Sequence, residues 1–290
     1  MATEGNATRD ARRVGRVWLI TGCSSGFGRE IALAALSRGD AVVATARRPE
    51  ALKDLVEGAP EGRAHALALD VTNPEQIREA VAEATDRFGR VDVLVNNAGY
   101  GLVGAVEEFT MEELREQFET MFFGAVELTK EVLPGMRERG SGAIVQMSSM
   151  GGQVAVPGAG SYCAAKFALE GLSGALAGEV KPFGIKVLIV EPGGFRTGFG
   201  GARHHRSQEI GAYQDSVGAK RRRELADNRG QAQPGDPEKA ARAIVATLDT
   251  EEPPLRLVLG ADAVEAIRNK LDSTQAELDR WEAVSRDTAL

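Results

Sequence analysis

The chain has 290 residues, and 43% of them are hydrophobic, so it can bury a large core. Its formal net charge of -7 at pH 7 argues against a general nucleic-acid-binding protein, because a phosphate backbone attracts clustered positive charge. The one dense basic run, KRRR at residues 220–223, is followed by acidic residues, and we interpret it as a solvated helix face.

The N-terminal segment and the cysteines indicate where the protein acts. Residues 1–14 carry charges and small side chains without an apolar segment, which predicts a mobile tail rather than a signal peptide or an anchor. No later stretch approaches the roughly 20 apolar residues that cross a bilayer. Cys23 and Cys163 are too few for a disulfide framework. We therefore expect a cytoplasmic protein that has no membrane partner.

Taken in chain order, short apolar runs alternate with longer segments in which apolar residues recur at helical spacing. The helical segments include residues 29–38, 74–88, 111–133 and 161–180. The strand candidates are residues 17–20, 41–46, 65–70, 91–95, 143–147, 185–190 and 255–259. Their continuous apolar runs indicate strands covered on both faces, and hence a parallel sheet with right-handed crossovers. The pattern predicts one doubly wound α/β domain over residues 15–290, with roughly seven parallel strands and helices on both faces.

Residues 193–237 form the longest stretch without a strand candidate, and they are rich in Gly, Arg, Gln and Asp. A loop of this length is usually a lid or a binding loop, so we expect it to cover the substrate. Ligands of doubly wound sheets bind beyond the carboxyl ends of the strands, near the point where strand order reverses. The residues that follow each strand are therefore the candidates for chemistry.

The segment TGCSSGFG, residues 21–28, follows the first strand candidate. Gly22, Gly26 and Gly28 let the backbone turn tightly and approach a pyrophosphate, whose charge then meets the amides of a helix N-terminus. Ile31 stands where the spacing G-x-G-x-x-G would place a third glycine. A plain strand-to-helix loop is the alternative interpretation.

The second strand candidate ends at Ala46, and Arg47 and Arg48 come next. A protein that selects NAD places a carboxylate near this point for the ribose hydroxyls. Planar guanidinium groups instead bind the oxygens of a 2'-phosphate in pairs. The sequence therefore favours NADP(H), with surface arginines as the alternative.

Further polar groups follow the later strands. NNAG at residues 96–99 offers amides that can bond main chain and ribose together, and its glycine leaves room for a cofactor. Ser148 and Ser149 follow the fifth strand candidate. Tyr162 and Lys166 lie one turn apart on one face of the predicted helix 161–180, although such a pair is also usual on a plain helix surface.

Taken together, TGCSSGFG, NNAG, the serine pair, YCAAK and VEPGGFRT have the order and spacing of the short-chain dehydrogenase/reductase family, which the chain resembles over roughly residues 15–200. Within that family it looks most like the NADP-preferring carbonyl reductases and hydroxysteroid dehydrogenases. The resemblance implies a Rossmann fold and bound NADP(H). The cofactor-binding residues that it implies are Gly22, Ser24, Ser25, Gly26, Phe27, Gly28, Arg47, Arg48, Asp70, Val71, Asn97, Ala98, Gly99, Tyr162, Lys166, Pro192, Gly193 and Thr197.

The resemblance also implies the catalytic residues. Tyr162 acts as the general acid or base, Ser149 holds the substrate oxygen, and Lys166 holds the nicotinamide ribose. A phenol titrates near about 10 and works better at neutral pH beside a positive charge, so we expect Lys166 to lower the pKa of Tyr162. No metal site is indicated. The histidines, which this scheme does not need, are His65, His204 and His205.

One family position differs in this chain. The family completes its catalytic group with an asparagine three residues before a glycine, and FETMFFG places Met121 there. Methionine cannot donate or accept hydrogen bonds as an amide does, which weakens the proton relay behind Lys166. The backbone carbonyl of Met121 remains, and Gly124 allows a helix bend without the amide. A substrate contact and an introduced substitution are the other interpretations of Met121.

These residues predict an NADPH-dependent oxidoreductase that reduces a ketone or aldehyde and reversibly oxidises a secondary alcohol. Val103, Val156, Phe195 and Phe199 flank the motif loops and predict a mostly apolar substrate. The alternatives are a cofactor-binding protein without useful turnover, and an enzyme that uses the tyrosine for non-redox chemistry. By analogy with the family, the long helices predicted at residues 111–133 and 161–180 indicate a homodimer or homotetramer.

Overall fold

The architecture is a parallel seven-stranded sheet, as the sequence predicts. A computed structural model describes residues 15–199, 209–217 and 232–288. The strands are β1 Val17–Ile20, β2 Ala41–Ala46, β3 Ala64–Ala68, β4 Val93–Asn96, β5 Gly142–Met147, β6 Ile185–Pro192 and β7 Arg256–Leu259. They lie in the order β3-β2-β1-β4-β5-β6-β7, so strand order reverses between β1 and β4. The loops that follow these two strands therefore lie side by side at the carboxyl edge of the sheet.

The helices begin and end where local sequence signals lie. They are α1 Gly26–Ser37, α2 Lys53–Glu57, α3 Pro74–Phe88, α4 Met111–Phe118, α5 Gly124–Arg139, α6 Gly160–Val180, α7 Pro237–Thr247 and α8 Ala261–Arg286. In α3, the Asn73 side chain accepts hydrogen bonds from the amides of Glu75 and Gln76. Pro74 opens that helix, and Gly89 ends it in the left-handed region at φ 82°.

Alternate residues of the central strands pack in opposite layers of the core. Trp18 and Ile20 of β1 pack with α1 and α7, while Leu19 packs with α3, α5 and α6. All three side chains are fully buried. This two-sided cover confirms the doubly wound fold and leaves the strand ends as the place for polar chemistry.

Several predicted bounds are wrong by a few residues. β3 ends at Ala68 instead of 70, and β4 begins at Val93 instead of 91. The predicted helix 111–133 is interrupted by a π-helical turn at Glu119–Phe123 and then continues through Pro134 to the end of α5. Proline usually ends a helix, but apolar residues of α5 pack on the sheet on both sides of Pro134 and offset the lost hydrogen bond.

The predicted substrate cover, residues 193–237, has no named strand among its described residues, and α7 begins at its last residue. An isolated bridge between Phe195 and Gly235 joins its two ends. Its residues 200–208 and 218–231, with the two histidines there and the basic run, lie outside the described residues, as does the predicted tail 1–14. In the described part of the chain, no helix is both long and apolar enough to cross a membrane.

Candidate active site

A cleft of about 920 Å³ runs along the carboxyl edge of the sheet, across the point where strand order reverses. Of the site residues predicted from the sequence, Gly28, Arg48 and Met121 do not line this cleft. Those that line it are Gly22, Ser24, Ser25, Gly26, Phe27, Arg47, Asp70, Val71, Asn97, Ala98, Gly99, Ser149, Tyr162, Lys166, Pro192, Gly193 and Thr197. The fold thus brings together residues that are dispersed over most of the chain.

The turn between β1 and α1 has the shape that a pyrophosphate requires. Gly22 and Gly26 have φ values of 72° and 59°, which residues with a side chain rarely adopt. A Cβ atom on Gly28 would lie 2.5 Å from the carbonyl oxygen of Gly22, so only glycine fits there. Among the described residues, no side chain caps α1, and its first turn carries no acid. The free amides of this helix end therefore suit the negative charge of a dinucleotide.

The end of β2 presents a cation to the cleft and no carboxylate. Ala46 is buried, Arg47 is exposed on the cleft, and Arg48 is exposed outside it. Asp70, a predicted cofactor-binding residue, lies after β3. Its Oδ1 accepts hydrogen bonds from the amide and the hydroxyl of Thr72 at 3.0 and 2.8 Å. Of the two predicted arginines, only Arg47 is placed to meet a group bound in the cleft.

The NNAG segment ties the end of β4 to the end of β1. Asn97 Nδ2 donates to the carbonyl oxygens of Thr21 at 2.8 Å and Gly22 at 3.3 Å. Thr21 Oγ1 accepts from the amides of Asn97 and Ala98 at 2.8 and 2.9 Å. Asn97 therefore makes the main-chain contacts expected of it and fixes the first glycine of the turn.

Tyr162, Ser149 and Lys166 meet at one side of the cleft. Tyr162 lies beside Ser149 at the cleft, and Ser149 Oγ accepts from the amide of Gly151 at 3.0 Å. Lys166 Nζ donates to the carbonyl oxygen of Met147 at 2.6 Å and lies 5.9 Å from the centre of the Tyr162 ring. Because both residues belong to α6, Tyr162 and Lys166 lie one turn apart on one helix face, as the sequence predicts.

Burial changes the pKa values of both Tyr162 and Lys166. Burial disfavours the phenolate and raises the pKa of Tyr162 to about 12, while the neighbouring Ser149 side chain acts in the opposite direction. Burial also lowers the pKa of Lys166 to about 8, and the negative charge of Glu170 partly offsets that effect. Lys166 is not among the causes of the shift in the Tyr162 pKa, so the lowering of that pKa by Lys166 together with the oxidised nicotinamide stays a prediction. Tyr162 is a neutral phenol that can donate a proton.

Sequence reasoning missed a buried acidic pair near Lys166. Glu170 lies one turn beyond Lys166 in α6, and Glu191 lies in β6. Glu170 and Glu191 are 6% and 0% exposed, and Arg256 Nε lies 3.0 and 3.3 Å from their carboxylate oxygens. Burial raises the pKa of Glu191 to about 7; a hydrogen bond from Gln153 lowers it, and the nearby Glu170 carboxylate raises it further. Of the two, Glu170 supplies the negative charge that supports the ammonium form of Lys166.

Met121 lies in the π-helical turn, where its side chain is 2% exposed and packs against Gly99. The following Gly124 has no room for a side chain, because a Cβ atom would overlap the carbonyl oxygen of Val71. A π-turn is a local distortion of the helix. The helix is therefore irregular at the point where the sequence predicts a bend, and it is so without an asparagine side chain.

Met121 also borders a small cavity, which shares Val71, Ala98, Thr120 and Lys166 with the lining of the cleft. This cavity has a volume of about 10 Å³, and Asn96 and Lys166 line it as well. Asn96 Oδ1 is buried and has no hydrogen-bond partner among the described residues. Because Met121 faces this cavity, the structure does not support its interpretation as a substrate contact.

Aromatic side chains line the cleft beside Tyr162. The rings of Tyr162 and Phe199 pack edge to face with centroids 5.8 Å apart, and Phe27 and Phe195 lie 5.1 Å apart. Val103 lines the cleft too, whereas Val156, which was predicted with it, does not. This part of the cleft suits an apolar group.

Asp262 is a cleft residue that sequence reasoning missed. It lies in the first turn of α8, and its Oδ2 accepts a hydrogen bond from the amide of Gly194 at 2.7 Å. The two residues are 68 positions apart, so no local pattern links them. They meet because β7 pairs with β6, so that α8, which follows β7, begins next to the loop that follows β6.

The fold and this site define the class of dinucleotide-binding proteins. Comparison with known proteins identifies the family within that class. A model of the family described as short chain dehydrogenase matches residues 16–208. The chain therefore belongs to the short chain dehydrogenase family, and it is an oxidoreductase of that family. This confirms the resemblance seen in its motifs.

Two curated relatives cover most of the chain. The protein named Oxidoreductase BOA17, from Botryotinia fuckeliana, is 41% identical over 94% of this chain and 99% of its own length. A 3-ketodihydrosphingosine reductase from Bacteroides thetaiotaomicron is 40% identical over 84% of this chain and 88% of its own length. Both names describe redox enzymes, in agreement with the family.

Two solved structures share the fold. A short-chain dehydrogenase from Streptomyces avermitilis is 56% identical, with a TM-score of 0.89 over 95% of this chain and 98% of that one. An alcohol dehydrogenase from the archaeon Thermococcus sibiricus, complexed with 5-hydroxy-NADP, is 25% identical, with a TM-score of 0.68 over 84% of this chain and 95% of that one. The second structure is a nicotinamide-nucleotide complex on the same fold.

Proposed function

We propose that this protein is an NADPH-dependent oxidoreductase that reduces a ketone or aldehyde on a mostly apolar substrate, and oxidises the corresponding secondary alcohol in reverse. The observation that carries the proposal is Tyr162, a neutral phenol beside Ser149 at a cleft with aromatic walls. The printed name of one relative, a 3-ketodihydrosphingosine reductase, supports a ketone as the reacting group.

The chain's own residues hold the cofactor and move the proton. The glycine turn and the N-terminus of α1 would hold the pyrophosphate, and Asn97 and Lys166 would hold the ribose. When bound, the nicotinamide supplies the hydride. Tyr162 donates its phenolic proton to the carbonyl oxygen, and Ser149 holds that oxygen with a second hydrogen bond. The ammonium of Lys166, fixed by the carbonyl of Met147, stabilises the negative charge left on Tyr162.

A series of ketones and aldehydes tests this function. With NADPH followed at the nicotinamide absorbance, kcat/KM should rise as the group beside the carbonyl becomes larger and more apolar, because the aromatic wall then buries more of it. Consumption of NADPH that is equally slow with every carbonyl and with none would support a cofactor-binding protein without useful turnover.

Arg47→Asp is expected to reduce or reverse a preference for NADPH over NADH. Arg47 is exposed on the cleft at the end of β2, where a guanidinium binds a 2'-phosphate and a carboxylate repels it. The dissociation constants of both cofactors, measured by titration, give the preference.

Arg48→Asp is the matched control, since it makes the same charge change one residue away and outside the cleft. It should leave the cofactor preference nearly unchanged. Equal affinity of the unmodified protein for NADPH and NADH, or an equal effect of the two substitutions, would count against the assignment to Arg47.

We expect kcat/KM for NADPH to fall as the pH rises through about 8. Lys166 loses its proton in that range, whereas Tyr162, with a pKa of about 12, keeps its own. Glu170→Gln removes the negative charge that favours the ammonium, so the falling limb should move to lower pH. A profile that is flat across pH 8 in the unmodified protein would contradict this role of Lys166.

Met121→Asn is expected to raise turnover while changing NADPH affinity little. The cavity between Met121 and Lys166 is near the lower limit of about 10–15 Å³ that one water molecule needs, so proton return to Lys166 is slowed and not abolished. The gain should stay below the about 10²–10⁴-fold that a whole acid-base step contributes.

Met121→Leu is the control for this substitution, because it changes the shape of the side chain without adding an amide. It should not raise turnover. If Met121→Asn leaves turnover unchanged or lowers it on an accepted substrate, the relay interpretation fails, and if neither form turns over any carbonyl, a binding function gains support.

The same proposal covers partners and location. We take the partners to be a small apolar carbonyl or alcohol substrate and further copies of the chain, as a homodimer or homotetramer. Cys23 and Cys163 are both free and buried, which is compatible with the cytoplasm as the place of action. Sedimentation of the purified protein tests the assembly.

A further inference from the structure

The last helix leaves the body of the protein after its second turn. In α8, Ala263 and Ile267 are buried, and every residue from 268 to 286 is exposed. We call residues 268–286 the projecting segment. At about 1.5 Å per residue this segment is roughly 28 Å long. Helices of this size are marginal in water by themselves and are usually stabilised by packing an apolar face.

The projecting segment carries such an apolar face. Leu271, Leu278 and Trp281 are 59%, 58% and 55% exposed. Together with buried Ile267 and with Thr274 they recur at alternating spacings of four and three residues, which is the pattern of a helix that pairs with another helix. Since the stripe starts at Ile267 inside the core and continues outward, it is an extension of the packed surface of the protein.

Charged residues beside the stripe differ in sign between its two halves. Arg268 and Lys270 flank the inner half, and Glu277 and Glu282 flank the outer half. A parallel partner helix of the same sequence would bring Glu277 near Glu282 of the partner subunit, and like charges repel. An antiparallel partner brings Lys270 near Glu277 of the partner subunit, twice by symmetry. One helix thus carries both halves of a complementary surface, which is what a two-fold contact requires.

From this apolar stripe and its charges, we propose that α8 packs antiparallel against α8 of a second copy of this chain. The contact buries Leu271, Leu278 and Trp281 of both copies. This contact uses a surface separate from the predicted helices at residues 111–133 and 161–180. The same helix carries Asp262 in its first turn, where the carboxylate accepts a hydrogen bond from the amide of Gly194 at the cleft.

The subunit number of the full chain tests the contact. Sedimentation velocity should show that Leu271→Glu combined with Leu278→Glu halves the number of subunits in the unmodified assembly. The control, Asn269→Glu with Ala276→Glu, places two acids on the opposite side of the same helix and should keep the assembly. All these positions lie outside the core, and an unchanged thermal unfolding midpoint at low protein concentration verifies folding.

Two outcomes overturn the proposal. One is a stripe variant with the same mass as the unmodified protein. The other is an unmodified protein that is already monomeric, in which case the stripe is left for a lipid surface or another protein.

A charge exchange tests the antiparallel direction. Glu277→Lys should raise the dissociation constant several-fold, and adding Lys270→Glu should restore it, because the two residues face each other across the two-fold axis. In a parallel pair, Glu277→Lys would remove a repulsion and lower the dissociation constant. That result, or no restoration by the second substitution, would contradict the antiparallel arrangement.

Discussion

Tyr162→Phe is expected to lower turnover by about 10²–10⁴-fold, the usual contribution of a general acid. The substitution removes the one proton that this side chain can donate and keeps the ring that packs on Phe199 at 5.8 Å. NADPH affinity should change little. Steady-state turnover with an accepted ketone and a direct titration of NADPH measure the two effects separately.

Tyr213→Phe is the matched control for the loss of a phenol. Its hydroxyl donates to Glu107 Oε2 at 2.7 Å, and neither residue lines the cleft. This variant should keep most of the turnover. Comparable turnover of Tyr162→Phe and the unmodified protein would mean that Tyr162 is not the acid.

Gly28→Ala is expected to weaken NADPH binding and to lower the free energy of unfolding by about 1–3 kcal/mol, as overpacking of a close contact does. The added Cβ would lie 2.5 Å from the carbonyl oxygen of Gly22 and 2.6 Å from Asn97 Nδ2, so the phosphate turn must shift. Urea unfolding and NADPH titration measure the two changes.

Gly171→Ala in α6 serves as the control, because no side chain and no atom of another element lies within 4 Å of the added Cβ. In a helix interior this change should raise the free energy of unfolding by up to about 1 kcal/mol. If Gly28→Ala keeps both the stability and the NADPH affinity of the unmodified protein, the close packing of the turn does not matter for binding.

The sheet could be predicted from the sequence because its strands are buried on both faces and read as continuous apolar runs. β1 and β2 have the predicted bounds, and α3 is bounded by Asn73, Pro74 and Gly89, whose effects are local. The predicted end of β3 is two residues late, because Leu69, which follows the strand, is as apolar and buried as the strand residues. The π-turn around Met121 is followed by Gly124, which packs against Val71, and these two residues are far apart in the chain.

The identity of the site residues could be predicted from the sequence, but the burial and the charge around each side chain could not. The loops after the strands carry the glycines, Asn97, Ser149, Tyr162 and Lys166 in positions that parallel strands bring together. The raised pKa of Tyr162 follows from burial, which no spacing in the sequence reveals. For the same reason the charge of Glu170 behind Lys166 was missed.

The outer part of α8 was not predicted because its side chains pack against no core. Its apolar residues at 271, 278 and 281 stand among charged ones, and sequence reasoning that looks for buried faces passes over them. Asp262 at the start of the same helix lines the cleft only through the tertiary fold.

Transfer of deuterium from labelled NADPH to an apolar ketone tests the central claim most directly. Both hydrogens on the reactive carbon of the reduced nicotinamide are replaced by deuterium, and the product alcohol is analysed by mass spectrometry. We predict one deuterium on the carbinol carbon of the alcohol formed by the unmodified protein, and far less product with Tyr162→Phe. An unlabelled product, or no product from any carbonyl while NADPH binds, would contradict the account.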